Sequence, residues 1–147
     1  MEGDMVLEKV EMKVVSIGLD PRTSQPVLIL RDGTRNRLLP IWIGALEANA
    51  IALEMEGIKP PRPMTHDLLR NLLDLIGARV QGVLISDIKE ETFYAMITLA
   101  TSRDTLEIDS RPSDAIALAL RTKAPIYAAE KVLETSAIPG TDEFTVH

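Results

Sequence analysis

Hydrophobic and polar positions change period several times along this chain. Residues 10–19 (VEMKVVSIGL) are rich in β-branched side chains and predict a strand. Residues 20–24 (DPRTS) predict a turn, and residues 27–30 a second strand. The pair Asp32-Gly33 predicts a hairpin turn, because both residue types tolerate positive φ. Residues 36–43 (NRLLPIWI) predict a third strand, with Pro40 at an edge or a bulge. Residues 44–56 (GALEANAIALEME) then predict a helix closed by Gly57. A rigid connector with three prolines follows at residues 58–64 (IKPPRPM). Thr65 is the expected N-cap of a helix over residues 66–76, stopped by Gly77. Leu68, Leu69, Leu72, Leu73, Leu75 and Ile76 predict that this helix buries a wide apolar face.

The pattern then restarts. Strands are expected over residues 80–88, 93–100 and 105–109, a helix over 112–122, a short strand over 124–128 and a last helical turn over 130–135. A shift of 67 residues lays LPIWIGALEANAIAL (39–53) over LEIDSRPSDAIALAL (106–120), with six identities in fifteen positions. Both stretches read as strand, polar bend and alanine-rich helix. The expectation is an α+β fold with a mostly antiparallel sheet, packed alanine-rich helices and an internal β-β-β-α duplication bridged by the helix over 66–76. One domain is expected over residues 10–138, after a lead-in (1–9) and before a tail (139–147) that is expected to be mobile. The alanine-rich helices are apolar all round, so each needs cover on two sides. A homo-oligomer is therefore expected, with a partner subunit as the second cover.

Composition narrows the class. A chain of 147 residues buries about 68–70% of its unfolded surface, enough for a real core. Aromatics are only 3%, so that core is aliphatic and base stacking is disfavoured. With no cysteine, disulfides and thiolate metal sites are excluded, which fits a cytoplasmic setting. The segment MEGDMVLEKV carries early acids and no apolar core, so it does not read as a signal peptide. The longest uncharged run, residues 92–102, is far short of the ~20 residues a membrane span needs. A net charge of −6 argues against broad electrostatic nucleic-acid binding, although it leaves room for a local basic patch or a cation-bridged phosphate.

Candidate chemistry gathers in three places. The 67-residue shift puts Glu47 over Asp114, each in the first turn of its helix, so a pseudo-twofold would turn both acids into one cleft. First-turn acids also complement the helix dipole, and this is the structural account of the same pair. Asp109, at the end of a strand, would join Asp114 in chelating a hard divalent cation such as Mg²⁺ or Mn²⁺, with Glu47 or Asp67 as a third carboxylate. Arg111 lies between these acids, either to neutralise them or to bind a phosphate bidentately. In PRPMTHDLL (61–69), Thr65, His66 and Asp67 open a helix, where backbone N–H groups receive anions, and Arg62 lies just upstream. His66 is the only internal histidine, and histidine suits general acid–base work near neutral pH. Finally, Arg31, Arg35 and Arg37 bracket the Asp32-Gly33 turn, as a solvated hairpin tip or as phosphate-backbone contacts. No P-loop, GxGxxG, HExxH, GxSxG or EF-hand pattern occurs, and no organic cofactor is expected.

Taken together, LPIWIGALEANAIAL, RPMTHDLL and IDSRPSDAIALAL resemble the bifunctional nuclease domain family in order and spacing. The resemblance runs over roughly residues 10–137. It implies an α+β fold, self-association and cleavage of both RNA and DNA. The matching motifs hold Glu47, Arg62, Thr65, His66, Asp67, Asp109, Arg111, Ser113 and Asp114.

Two readings follow. In the first, the chain is a sequence-tolerant nuclease. Asp109, Asp114 and Glu47 hold one or two divalent ions, His66 and Asp67 belong to the catalytic group, and Arg62, Arg111, Thr65 and Ser113 bind phosphate. A variant routes the chemistry through His66 without a metal. In the second, the chain is a non-enzymatic dimeric binding or regulatory module whose motifs cap helices and pair charges. Geometry separates the two: acids converging on an open cleft favour the nuclease, and acids sealed by Arg111 favour the module.

Overall fold

The computed structural model describes residues 8–140. Three strands, β1 (Lys9–Leu19), β2 (Pro26–Asp32) and β3 (Arg37–Trp42), precede the helices α1 (Ala45–Met55) and α2 (Thr65–Ile76). Three more strands follow, β4 (Arg79–Lys89), β5 (Thr92–Ala100) and β6 (Thr105–Ser110), and then α3 (Pro112–Thr122). The described residues close with β7 (Ile126–Ala129), α4 (Glu130–Ser136) and β8 (Ile138–Pro139). The order β-β-β-α thus occurs twice, on either side of α2.

The eight strands of the described residues form one sheet in the order β6-β5-β4-β7-β1-β2-β3-β8. Each three-strand unit is an antiparallel meander. The short β7 joins them, antiparallel to β1 and parallel to β4. This is the α+β architecture with mostly antiparallel sheet that the sequence predicts. Pro40 faces the sparsely covered side of β3, since β8 pairs only with Arg37 and Leu38. A missing N–H costs no ladder bond there.

The helix α3 lies in the core. Ala115, Ile116, Ala117, Leu118 and Ala119 are all fully or almost fully buried. Beneath it are β4 and β5, and on its flanks α1 and α2. Small side chains let these helices approach closely, so the second cover of α3 comes from the same chain. This corrects the expectation that a partner subunit supplies it.

Three further expectations change. The N-cap of α2 is Met64, and Thr65 is already helical. The capping acceptor is Asp67, which receives the Met64 backbone N–H at 2.9 Å. The β2–β3 hairpin turns over four residues, and its positive φ falls on Asn36 (55°), not on Gly33. Here the Asp32 carboxylate accepts from the N–H groups of Thr34 and Arg35, which shapes the turn without a positive φ at Gly33. Third, the leucine face of α2 is not buried. Leu68, Leu69, Leu72, Leu75 and Ile76 are exposed, while Asp67, Arg70 and Asn71 on the other side are partly covered.

At the ends, Lys9 pairs with Ala129 and Pro139 with Arg37, and the Gly140 N–H donates to the Asn36 carbonyl at 2.7 Å. Pro139 and Gly140 are therefore tied to the sheet. The rest of the expected tail, 141–147, and residues 1–7 of the expected lead-in lie outside the described residues.

Candidate active site

Three helix N-termini meet beside the end of β6. The first turn of α3 opens with Arg111 as N-cap and Pro112 at the first helical position, whose ring fixes the φ the helix needs. This start aims Asp114 back across the helix end. His66, in the first turn of α2, reaches it with Nε2 2.9 Å from Asp114 Oδ1. Arg111 grips the same carboxylate twice, Nε to Oδ2 at 2.8 Å and Nη2 to Oδ1 at 3.1 Å. Its Nη1 reaches Glu47 Oε2 at 3.1 Å, in the first turn of α1. The result is a continuous chain, His66–Asp114–Arg111–Glu47, built from three helices. Gly44 is part of it, because a Cβ there would collide with the Glu47 carboxylate folded over it.

The electrostatics follow from these contacts. Burial of the Asp114 carboxyl opposes ionisation, but hydrogen bonds from Arg111 and His66 outweigh it and hold its pKa below the usual carboxylate value. The hydrogen bonds to Asp114, and secondly to Glu47, hold Arg111 firmly protonated. An ionised carboxylate only accepts, so His66 donates through Nε2, and in the neutral ring Nδ1 keeps the lone pair. Arg111 has five N–H donors, of which these contacts use three. Its side chain is 63% exposed, so two donors remain for an incoming anion.

Two cavities flank Arg111. On the His66 side is a groove of about 580 Å³ whose wall is mostly aliphatic, with Thr65, Asp109 and Asp114 at its polar end. On the Glu47 side is a cavity of about 320 Å³ that includes Trp42, Phe93 and Ser113.

The residues singled out in the sequence divide accordingly. Glu47, His66, Arg111 and Asp114 come together, as the superposed repeats suggested for the two acids. Thr65 and exposed Asp109 border the same groove, and buried Ser113 borders the second cavity. Asp67 faces away, accepting from Arg121 Nε at 2.7 Å. Exposed Arg62, on the proline-rich connector, borders neither cavity. Of the three hairpin arginines, Arg37 is committed to Asp32 and Glu130. Arg121 and Trp42 were missed as participants. A lone arginine ending the apolar α3 signals the first, and the chain's one tryptophan beside Gly44 signals the second.

The same geometry tests the expected metal. The oxygens with which Glu47 and Asp114 face each other are taken by Arg111. Among the described residues, no three His, Asp or Glu side chains are arranged to hold an ion. A divalent cation at these two carboxylates therefore does not fit unless the guanidinium moves aside.

Comparison with known proteins agrees with the motifs. An uncharacterised protein of Mycobacterium tuberculosis is 45% identical over 133 residues, covering 90% of this chain and 79% of the relative. Bifunctional nuclease 2 of Arabidopsis thaliana is 31% identical over 103 residues, covering 68% of this chain. Bifunctional nuclease 1 of Oryza sativa subsp. indica is 28% identical over 109 residues, covering 72% of this chain. The matched stretch is 31% and 33% of these two plant proteins. The sequence profile of the bifunctional nuclease domain matches residues 28–141. This chain belongs to the bifunctional nuclease domain family.

Proposed function

We propose that this chain hydrolyses phosphodiester bonds in single-stranded RNA and DNA with His66 as general base and Arg111 as the phosphate ligand. The observation that carries the reading is the His66–Asp114–Arg111–Glu47 chain, open to cavities on both sides. DNA lacks a 2′-hydroxyl, so a common nucleophile for both substrates is water. His66 Nδ1 takes the proton as the water oxygen attacks phosphorus; the alkoxide departs in line on the far side and takes its proton from solvent, and the imidazolium gives its own proton back to solvent. Asp114 fixes the ring and stabilises its charged form. The two spare N–H groups of Arg111 neutralise charge on the non-bridging oxygens. Contacts to phosphate carry no base identity, so cleavage is sequence-tolerant.

The test is cleavage of labelled single-stranded RNA and DNA with Mg²⁺, Mn²⁺ or EDTA, beside folded His66→Ala and Asp114→Asn variants. The expected outcome is EDTA-resistant cleavage that falls by about 10²–10⁴-fold in His66→Ala. Metal-dependent cleavage lost in Asp114→Asn would instead move the chemistry to an ion bound where Arg111 now sits. Absence of cleavage throughout would leave a non-enzymatic binding module, in which Arg111 does no more than neutralise Glu47 and Asp114.

We also propose that the chain is a homodimer joined through α2. Leu75 is 83% and Ile76 75% exposed, and with Leu68 and Leu72 they form a ridge. Beside the ridge runs the aliphatic groove lined by Leu69, Leu72, Ile97, Leu99 and Ile108. Ridge and groove adjoin on one patch, as an isologous contact requires, so each copy's ridge packs on the aliphatic end of the other's groove and leaves the polar end at His66 and Arg111 open. Light scattering after gel filtration should give twice the chain mass. The Leu72→Glu/Leu75→Glu variant should elute as a monomer with an unchanged circular dichroism spectrum. A native chain that stays monomeric at high micromolar concentration would sink the interface.

A further inference from the structure

The chain's one tryptophan is where a nucleic acid would meet it. Trp42 ends β3 and is 43% exposed, although its strand is otherwise buried or nearly so. Its indole is not loose. Nε1–H donates to Asp20 Oδ2 at 3.0 Å. Asp20 is itself fixed by the Arg22 backbone N–H at 2.9 Å and by the Arg22 guanidinium at 3.3 Å. A large apolar ring held by its polar edge, with much of its surface in solvent, contributes little to the core. It is instead a preorganised flat surface, whose ordering cost is met before any ligand arrives. The cavity it borders is also lined by Phe93, Glu47 and Arg111, so the ring and the Arg111 side chain share one space.

We propose that Trp42 is the stacking platform for an unpaired nucleobase next to the phosphate held by Arg111. This deepens the nuclease reading and rests on it for the class of ligand. Every base has a π-face, so such a platform holds any sequence, and one ring at the right place is enough despite the scarcity of aromatics. It also supplies strand selectivity, because a base inside a duplex is already sandwiched between its neighbours. The substrate then runs across Arg111, with one base on Trp42 and the scissile phosphate between Arg111 and His66. Phe93, partly buried, borders the same cavity.

The experiment uses the intrinsic emission of the single tryptophan of the native chain. It is titrated in EDTA at low temperature with (dT)6, with (rU)6, with a blunt duplex and with inorganic phosphate. Saturable quenching by both single strands is expected, with none from phosphate, which reaches Arg111 but has no ring. Binding of fluorescein-labelled (dT)12 should weaken on the order of tenfold in Trp42→Leu and much less in Trp42→Phe, which keeps a stackable ring. Native-like affinity in Trp42→Leu, unchanged emission while labelled strand binds, or equal quenching by duplex would each overturn the platform. In those cases cleavage by the native chain would leave the nuclease reading intact. No binding and no cleavage of either strand would overturn both.

Discussion

At the residue scale, a side chain that borders neither of the two cavities beside Arg111 does most to position the candidate site. Arg121 has a side chain only 2% exposed. Its Nε donates to Asp67, Nη1 to the Ala117 carbonyl at 2.9 Å and Nη2 to the Ala50 carbonyl at 3.0 Å. One guanidinium thus ties the first turn of α2 to α1 and to its own helix. Burial opposes ionisation of Asp67, but the Met64 N–H and Arg121 overcome this and hold its pKa below the ordinary carboxylate value. Removing Arg121 would leave the partly buried Asp67 carboxylate with the Met64 N–H but no cation, and would leave the Ala50 and Ala117 carbonyls without this donor. Arg121→Met is therefore expected to cost about 3–5 kcal/mol, read from the urea midpoint. Arg121→Lys should rescue little of it, since a point charge does not span three acceptors. A loss within experimental error in Arg121→Met would show that the cluster does not hold the helices together. His66 directly precedes Asp67, so the same clamp sets where the imidazole meets Asp114.

At the element scale, most of the fold is legible because the local signals agree with one another. Strand runs of β-branched residues, the glycines after α1 and α2, and Pro112 opening α3 all lie where the elements start or stop. The shift by 67 residues pairs Glu47 with Asp114, and that pairing survives as two acids on one arginine. What misleads is the assumption that an apolar helical face is buried within its own chain. For α2 the leucines are regular enough to define the helix, but periodicity says nothing about which molecule covers them. For α3 the error runs the other way. Two-sided cover is correctly implied by its alanines and isoleucine, yet it comes from α1, α2 and the sheet. The candidate site residues are likewise visible in the motifs, whereas their contacts are not. Nothing local tells that Asp67 turns to Arg121 while its neighbour His66 turns to Asp114.

At the scale of the whole molecule, ionised carboxylates recur as fasteners, and this sets a pH dependence. Asp32 is fully buried at the β2–β3 turn. Burial alone would raise its pKa, but Arg37 and the N–H groups of Thr34 and Arg35 more than compensate and lower it. Arg37 in turn binds Glu130 at 2.8 Å, and chiefly this hydrogen bond lowers the Glu130 pKa and locks the hairpin to α4. Asp67 and Asp114 are shifted in the same direction around α2 and α3. All four have folded pKa values below their unfolded ones, so the unfolded chain binds more protons in acid. Their contribution is fully present above the unfolded carboxylate range near pH 4 and is lost as pH falls through the lower folded values. Urea midpoints should be flat from about pH 7 to 5 and fall steeply below about 4. Protonation also strips the chain of its −6 charge and leaves it cationic, so general repulsion acts in the same window. Asp32→Asn separates the two effects. It should lower the neutral plateau by on the order of 1–3 kcal/mol and make the acid limb shallower, because one shifted carboxylate no longer titrates. A variant with a lowered plateau but an unchanged acid slope would mean that the Asp32–Arg37–Glu130 fastener stabilises by packing alone and that the acid limb comes from repulsion.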